Sequence, residues 1–155
     1  MGIPIQHQVP FNSRLEVVRF HQKAIFPIRA YSKSAAYDLS ACLSGTMTLG
    51  PQTTKSVPTG IGLRAPANHC ILICSRSGMA TNSVFVANGP GVVDPDYTGE
   101  IRVLLYNGGL EPHYIKSGDR VAQALVIPFA SLQLLEIARM PDTERGTKGF
   151  GSSGQ

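Results

Sequence analysis

The chain predicts an all-β fold, jelly-roll-like, built as a sandwich or barrel. Three observations carry that prediction. Short apolar runs recur along the 155 residues, separated by Gly, Pro, Asn and Asp. Turn signals stand between the runs, among them Leu49-Gly50-Pro51, Pro58-Thr59-Gly60, Asn107-Gly108-Gly109 and Ser117-Gly118-Asp119. No long stretch has the apolar period of an amphipathic helix.

Taken in order, the runs predict strands over 15–20, 25–30, 37–43, 46–49, 55–63, 69–75, 83–87, 101–106, 120–127 and 132–138. Each is four or more residues of apolar or β-branched character bounded by a turn residue. Residues 77–82 have room for one helical turn after the strand that ends near Cys74. Gly91-Val92-Val93-Asp94-Pro95-Asp96-Tyr97-Thr98-Gly99 reads as a β-hairpin that brings an acid and an aromatic ring to one spot. An ordinary Asp/Pro/Gly turn is the alternative reading of that segment alone.

The organisation is one β-domain over 13–139, preceded by a short extension, 1–12, and followed by a flexible arm, 140–155. Met140-Pro141 breaks the last strand. From Asp142 onward there are four glycines, two serines and a single aromatic residue, Phe150, so the arm cannot build a core. Extended, the stretch from Arg139 to Phe150 reaches about 36–40 Å, enough to cross a subunit boundary.

Composition bounds the function. A hydrophobic fraction of 43% supports one packed core, and no apolar run approaches membrane-spanning length. Met1 to Pro10 has no basic-then-apolar signal pattern. Cys42, Cys70 and Cys74 are odd in number and sit in apolar segments, which predicts reduced thiols in a cytoplasmic or nuclear protein that is not secreted. Cys70 and Cys74 lack the second pair a zinc site needs. The net charge of +4 comes from scattered basic residues, a pattern that favours a small anionic ligand over nucleic acid.

Four further segments carry chemistry. Ser75-Arg76-Ser77-Gly78-Met79-Ala80 offers a forked guanidinium, a hydroxyl and a glycine that lets backbone N–H groups approach phosphate. Arg145-Gly146-Thr147-Lys148-Gly149-Phe150-Gly151-Ser152-Ser153-Gly154 has a phosphate-gripping composition but not the order of a Walker A loop. Asp38 lies in an apolar strand, where a hydrogen-bonded structural role is the ordinary one. Gln123 interrupts the apolar run after Gly118-Asp119-Arg120, whose charges read as turn solvation or a local ion pair.

In order and spacing, AAYDL (35–39), SRSGMA (75–80), GVVDPDYTGEI (91–101), GDRVAQ (118–123) and RGTKGFGSSG (145–154) resemble the five motifs of the homotrimeric dUTPases. The resemblance implies a jelly roll assembled as a trimer, with active sites at subunit interfaces, no membrane and no nucleic acid. It implies hydrolysis of dUTP to dUMP and pyrophosphate, with Mg2+ on the triphosphate and Asp38 at most an outer partner of the metal. Asp94 would be the general base holding the attacking water. Tyr97 would pack on the deoxyribose. Asn88, with the backbone of Gly91 and Val93, would read uracil. Arg76, Ser77, Gly78 and Gln123 would hold phosphates. Arg145, Gly151 and Ser152 would close over the substrate, with Phe150 stacked on the base. Ser75 stands where the family often has proline, and Lys148 replaces a frequent glycine. A non-catalytic binding protein on the same fold is the first rival. A dCTP deaminase is the second, but the hairpin has no counterpart of its glutamate base. A zinc deaminase lacks its H-x-E and P-C-x-x-C signature here.

Overall fold

The computed structural model describes residues 14–149. They form eleven strands and one short helix, α1 (Ser77–Ala80). A four-stranded sheet is ordered β2 (Tyr37–Ser40), β11 (Arg120–Pro128), β6 (His69–Cys74), β8 (Gly91–Val93). A three-stranded sheet is ordered β4 (Thr54–Pro58), β9 (Arg102–Asn107), β7 (Val84–Val86). Two antiparallel pairs complete the all-β, jelly-roll-like fold: β1 (Glu16–Arg19) with β5 (Ile61–Arg64), and β3 (Met47–Leu49) with β10 (His113–Ile115).

Alternation along the strands explains the core. On β9, Val103, Leu105 and Asn107 point inward, while Arg102, Leu104 and Tyr106 face out or sit half-buried. Leu39, Leu49, Val57, Ile61, Ile71, Val84 and Val121 are buried with them. Each such aliphatic side chain contributes roughly 1.5–3 kcal/mol through burial. The buried Asn107 is fully engaged: its amide donates to the carbonyls of Leu49 and Glu111, and its oxygen accepts the Gly109 N–H.

Several sequence expectations are corrected. The run 55–63 is two strands, because Gly60 adopts φ +65° and turns the chain between β4 and β5. A Cβ on Gly60 would also lie 2.8 Å from Cβ of Ala24. Residues 25–30 form no strand. Pro27 lacks the N–H a ladder needs, and a single bridge, Ile28 to Asp38, remains. Residues 132–138 form none either: Leu132, Leu134 and Leu135 stand exposed, with no neighbouring strand in their own chain to pair with among the described residues. The segment 91–103 is not a hairpin, since β8 pairs with β6 and β9 pairs with β4 and β7. The Asp94–Glu100 loop instead carries the chain from one sheet to the other. β10 lies outside the predicted strands, being three residues long with a half-exposed histidine.

Candidate active site

Three motifs meet on the four-stranded sheet because β11 runs between β2 and β6. Gln123 of β11 faces Asp38 on one side and Cys74 on the other. Beyond Cys74 the chain leaves β6 as Ser75-Arg76 and enters α1. An irregularity in register between Arg120 and Ala122 lets Arg120 join the same cluster. The Asp38 carboxylate, 11% exposed, accepts Arg76 Nε at 2.8 Å on one oxygen and Arg120 Nη1 at 3.0 Å on the other. Arg76 Nη1 donates to the Arg120 carbonyl at 3.0 Å. Two guanidiniums thus share one carboxylate, leaving a net positive corner with Arg76 Nη2 available to an anion.

The turn beside this corner is braced. Gln123 Nε2 donates to the Ser75 carbonyl at 2.9 Å, and the Ser75 hydroxyl accepts the Val86 N–H at 2.8 Å. The hydroxyl of Ser75 therefore has a structural task. Ser77 and Gly78 are exposed at the start of α1, where the first N–H groups of a helix have no intrahelical partner. The space around Gly78 is open: a Cβ there would meet nothing within 4 Å.

The second group of predicted residues gathers elsewhere. A cavity of about 180 Å³ is lined by Asn88, Gly91, Val93, Asp94, Tyr97 and Arg102, among others. The Asn88 amide lies over Gly91, where a Cβ would come within 3.0 Å of Nδ2. A turn closed by the Tyr97 N–H on the Asp94 carbonyl (3.1 Å) exposes the Asp94 carboxylate. Among the described residues that carboxylate has no hydrogen-bond or ion-pair partner. The Tyr97 ring lies on Gly99, and its hydroxyl donates to the Glu100 carbonyl at 2.8 Å.

The two groups sit toward opposite ends of β6. Val93 pairs with Ile71, whereas Arg76 follows the far end of the strand. Those five residues correspond to roughly 17 Å at the rise of a strand. Asp94 with Tyr97 and the arginine corner thus form two groups on one chain, and the pocket wall meets the turn before Arg76 through the Val86–Ser75 hydrogen bond.

Arg145 is exposed and bonded locally: its Nε donates to the Lys148 carbonyl at 3.1 Å, next to a turn from Thr143 to Gly146. Among the described residues it contacts neither of the two groups. Phe150, Gly151 and Ser152 lie outside the described residues. Two partners in the site go beyond what the sequence shows. Arg120 reads as a turn charge, yet it holds Asp38. Glu100 reads only as one letter of a motif, yet it contacts Gly60 and Arg102 as well as Tyr97. Charge in a turn gives no sign of which distant carboxylate or amide it will meet.

The chain is similar to known proteins along most of its length. The dUTPase family model matches residues 22–154. The deoxyuridine 5'-triphosphate nucleotidohydrolase of Gloeobacter violaceus is 37% identical over 142 residues, covering 91% of this chain and 97% of the relative. That of Anaplasma marginale is 38% identical over 144 residues, covering 91% and 98%. Among solved structures, a variant dUTPase of phage 80alpha superposes with a TM-score of 0.82 at 24% identity, covering 90% of this chain and 98% of that one. The Staphylococcus bacteriophage 80alpha dUTPase with dUPNHPP gives 0.79 at 25% identity, covering 92% and 99%.

Proposed function

The chain belongs to the dUTPase family, and we propose on that premise that it converts dUTP and water to dUMP and pyrophosphate. The observation that carries the reading is the free carboxylate of Asp94 at the mouth of a cavity sized for a base. An acceptor without competing partners can orient a water and take its proton as the water attacks the α-phosphorus. The Tyr97 ring would cover the deoxyribose, where a 2′-hydroxyl would clash. Asn88 and the backbone at Gly91 and Val93 would read the uracil edge.

The arginine corner supplies the other half of the reaction. Arg76 Nη2, the Ser77 hydroxyl and the open backbone at Gly78 suit the phosphates, with charge stabilisation greatest as pyrophosphate departs. Gln123, expected among the phosphate-holding residues, also donates to the Ser75 carbonyl and so holds the turn. Magnesium would reach the site with the substrate's phosphates. Among the described residues no group of three or more His, Cys, Asp or Glu side chains converges, and both Asp38 oxygens are held by arginines. Magnesium on the triphosphate would neutralise polyphosphate charge, with the chain gripping the complex through its phosphates.

Asp94 and Arg76 lie toward opposite ends of β6, about 17 Å apart along the strand, which supports a complete site built from the arginine corner of one copy and the Asp94 pocket of another. A homotrimer with sites at its interfaces would provide that pairing. The exposed Leu132, Leu134 and Leu135, ahead of the arm, suit contact with a neighbour. The arm would then bring Arg145, Gly151 and Ser152 over the phosphates and Phe150 onto the base. The product serves as a precursor for thymidylate, and removing dUTP limits uracil in DNA. The unpaired Cys42, Cys70 and Cys74 suit a reducing cytoplasmic or nuclear compartment.

The test is pyrophosphate release with magnesium from dUTP, dTTP, dCTP and UTP, each alone. Release from dUTP alone is expected. Release from several would overturn the uracil-reading pocket, and release from none by a folded protein would favour a binding role.

A further inference from the structure

We propose that Glu100 is a positioning residue for sugar selectivity, acting through Tyr97; the inference rests on the reading of Tyr97 given above. Tyr97 is 45% exposed, so packing on both faces does not fix its ring. Its seat is the Gly99–Glu100 backbone. A Cβ on Gly99 would fall 2.5 Å from the Tyr97 hydroxyl and 2.7 Å from Cζ, which shows how closely ring and backbone lie. The hydroxyl is held by the Glu100 carbonyl. Where that peptide goes, the ring goes.

The Glu100 side chain anchors the same peptide. Its Oε1 accepts the Gly60 N–H at 2.7 Å, and its Oε2 accepts Arg102 Nη1 at 3.2 Å. Gly60 is a firm point of attachment. Its φ of +65° suits glycine, and it is packed against Ala24, His21 and Cys42. The buried Thr59 beside it donates to the Ile101 carbonyl at 2.6 Å. One carboxylate therefore ties the sheet-crossing loop to the β4–β5 turn, and one carbonyl of the same residue ties the ring to the loop. A ring that must exclude a single hydroxyl group needs this kind of support, because a small displacement admits the wrong sugar.

The readout is the ratio of kcat/KM for dUTP to that for UTP. That ratio does not depend on how much of a preparation is folded, so a merely structural role would leave it unchanged. Glu100→Ala is expected to lower the ratio about tenfold, the scale of a lost charge-assisted hydrogen bond. Glu100→Gln keeps an acceptor for the Gly60 N–H and is expected to retain it. Gly99→Ala pushes the ring from its seat and is expected to lower the ratio with Glu100 intact. An unchanged ratio in Glu100→Ala, while Tyr97→Ala loses it, would overturn the proposal. If Glu100→Ala does not fold, an unchanged ratio in Gly99→Ala does the same. A wild-type chain that hydrolyses UTP as readily as dUTP would instead overturn the reading of Tyr97, and the assignment of Glu100 with it.

Discussion

Asp38 and Asp94 are treated in opposite ways by the fold. Asp38 sits in the four-stranded sheet, nearly buried, with an arginine on each oxygen. Asp94 sits where β8 ends, exposed, with no side-chain partner among the described residues. The first carboxylate spends its acceptors on shaping a cationic corner. The second leaves its acceptors open to solvent at the pocket wall. An acid that orients neighbours and an acid proposed to activate water differ in surroundings rather than in type.

The largest expected effect breaks the Asp94 side. Asp94→Asn should lower turnover by about 10²–10⁴-fold, while calorimetry with a non-hydrolysable dUTP analogue shows binding near wild type. Unchanged turnover would remove Asp94 from the role of base. Mixing chains sharpens the contrast. Asp94→Asn and Arg76→Ala, each inactive alone, should regain about a quarter of wild-type activity when unfolded and refolded together, if every site draws on two copies in a head-to-tail ring. No recovery from well-folded mixed oligomers would return the site to a single chain. A third effect concerns the ring: Tyr97→Ala should reduce discrimination against UTP by roughly 10–100-fold. The smallest lies on the Asp38 side. Asp38→Asn should raise KM about tenfold and cost about 1.5–3 kcal/mol in chemical denaturation, as two charge-assisted bonds weaken. A kcat loss matching that of Asp94→Asn would erase the distinction between the two acids.

Much of this architecture is legible in the residues themselves. Strongly apolar runs, such as those of β6, β9 and β11, declare themselves, and motif order points to the family. Strand pairing is not legible in the same way. Val92 and Val93 look like one arm of a hairpin, but nothing local specifies that β8 will choose β6 over β9. Leu132, Leu134 and Leu135 read as a strand because they are apolar, yet a strand also needs an open edge in reach. Gly60 is visible as a turn residue within Pro58-Thr59-Gly60, but the apolar character of 55–63 masks the break it makes. At the site, residue types are readable and distances are not. Nothing in the order of residues shows that Arg76 and Asp94 stand toward opposite ends of one strand.

That spacing along β6 has a consequence for dosage. If the two halves of a chain serve different substrate molecules, as proposed, the chain is folded but idle until it meets its own kind. Association is governed by mass action, so specific activity should fall steeply on dilution while spectroscopic signs of folding persist. Below the dissociation constant, doubling the amount of protein would more than double the rate.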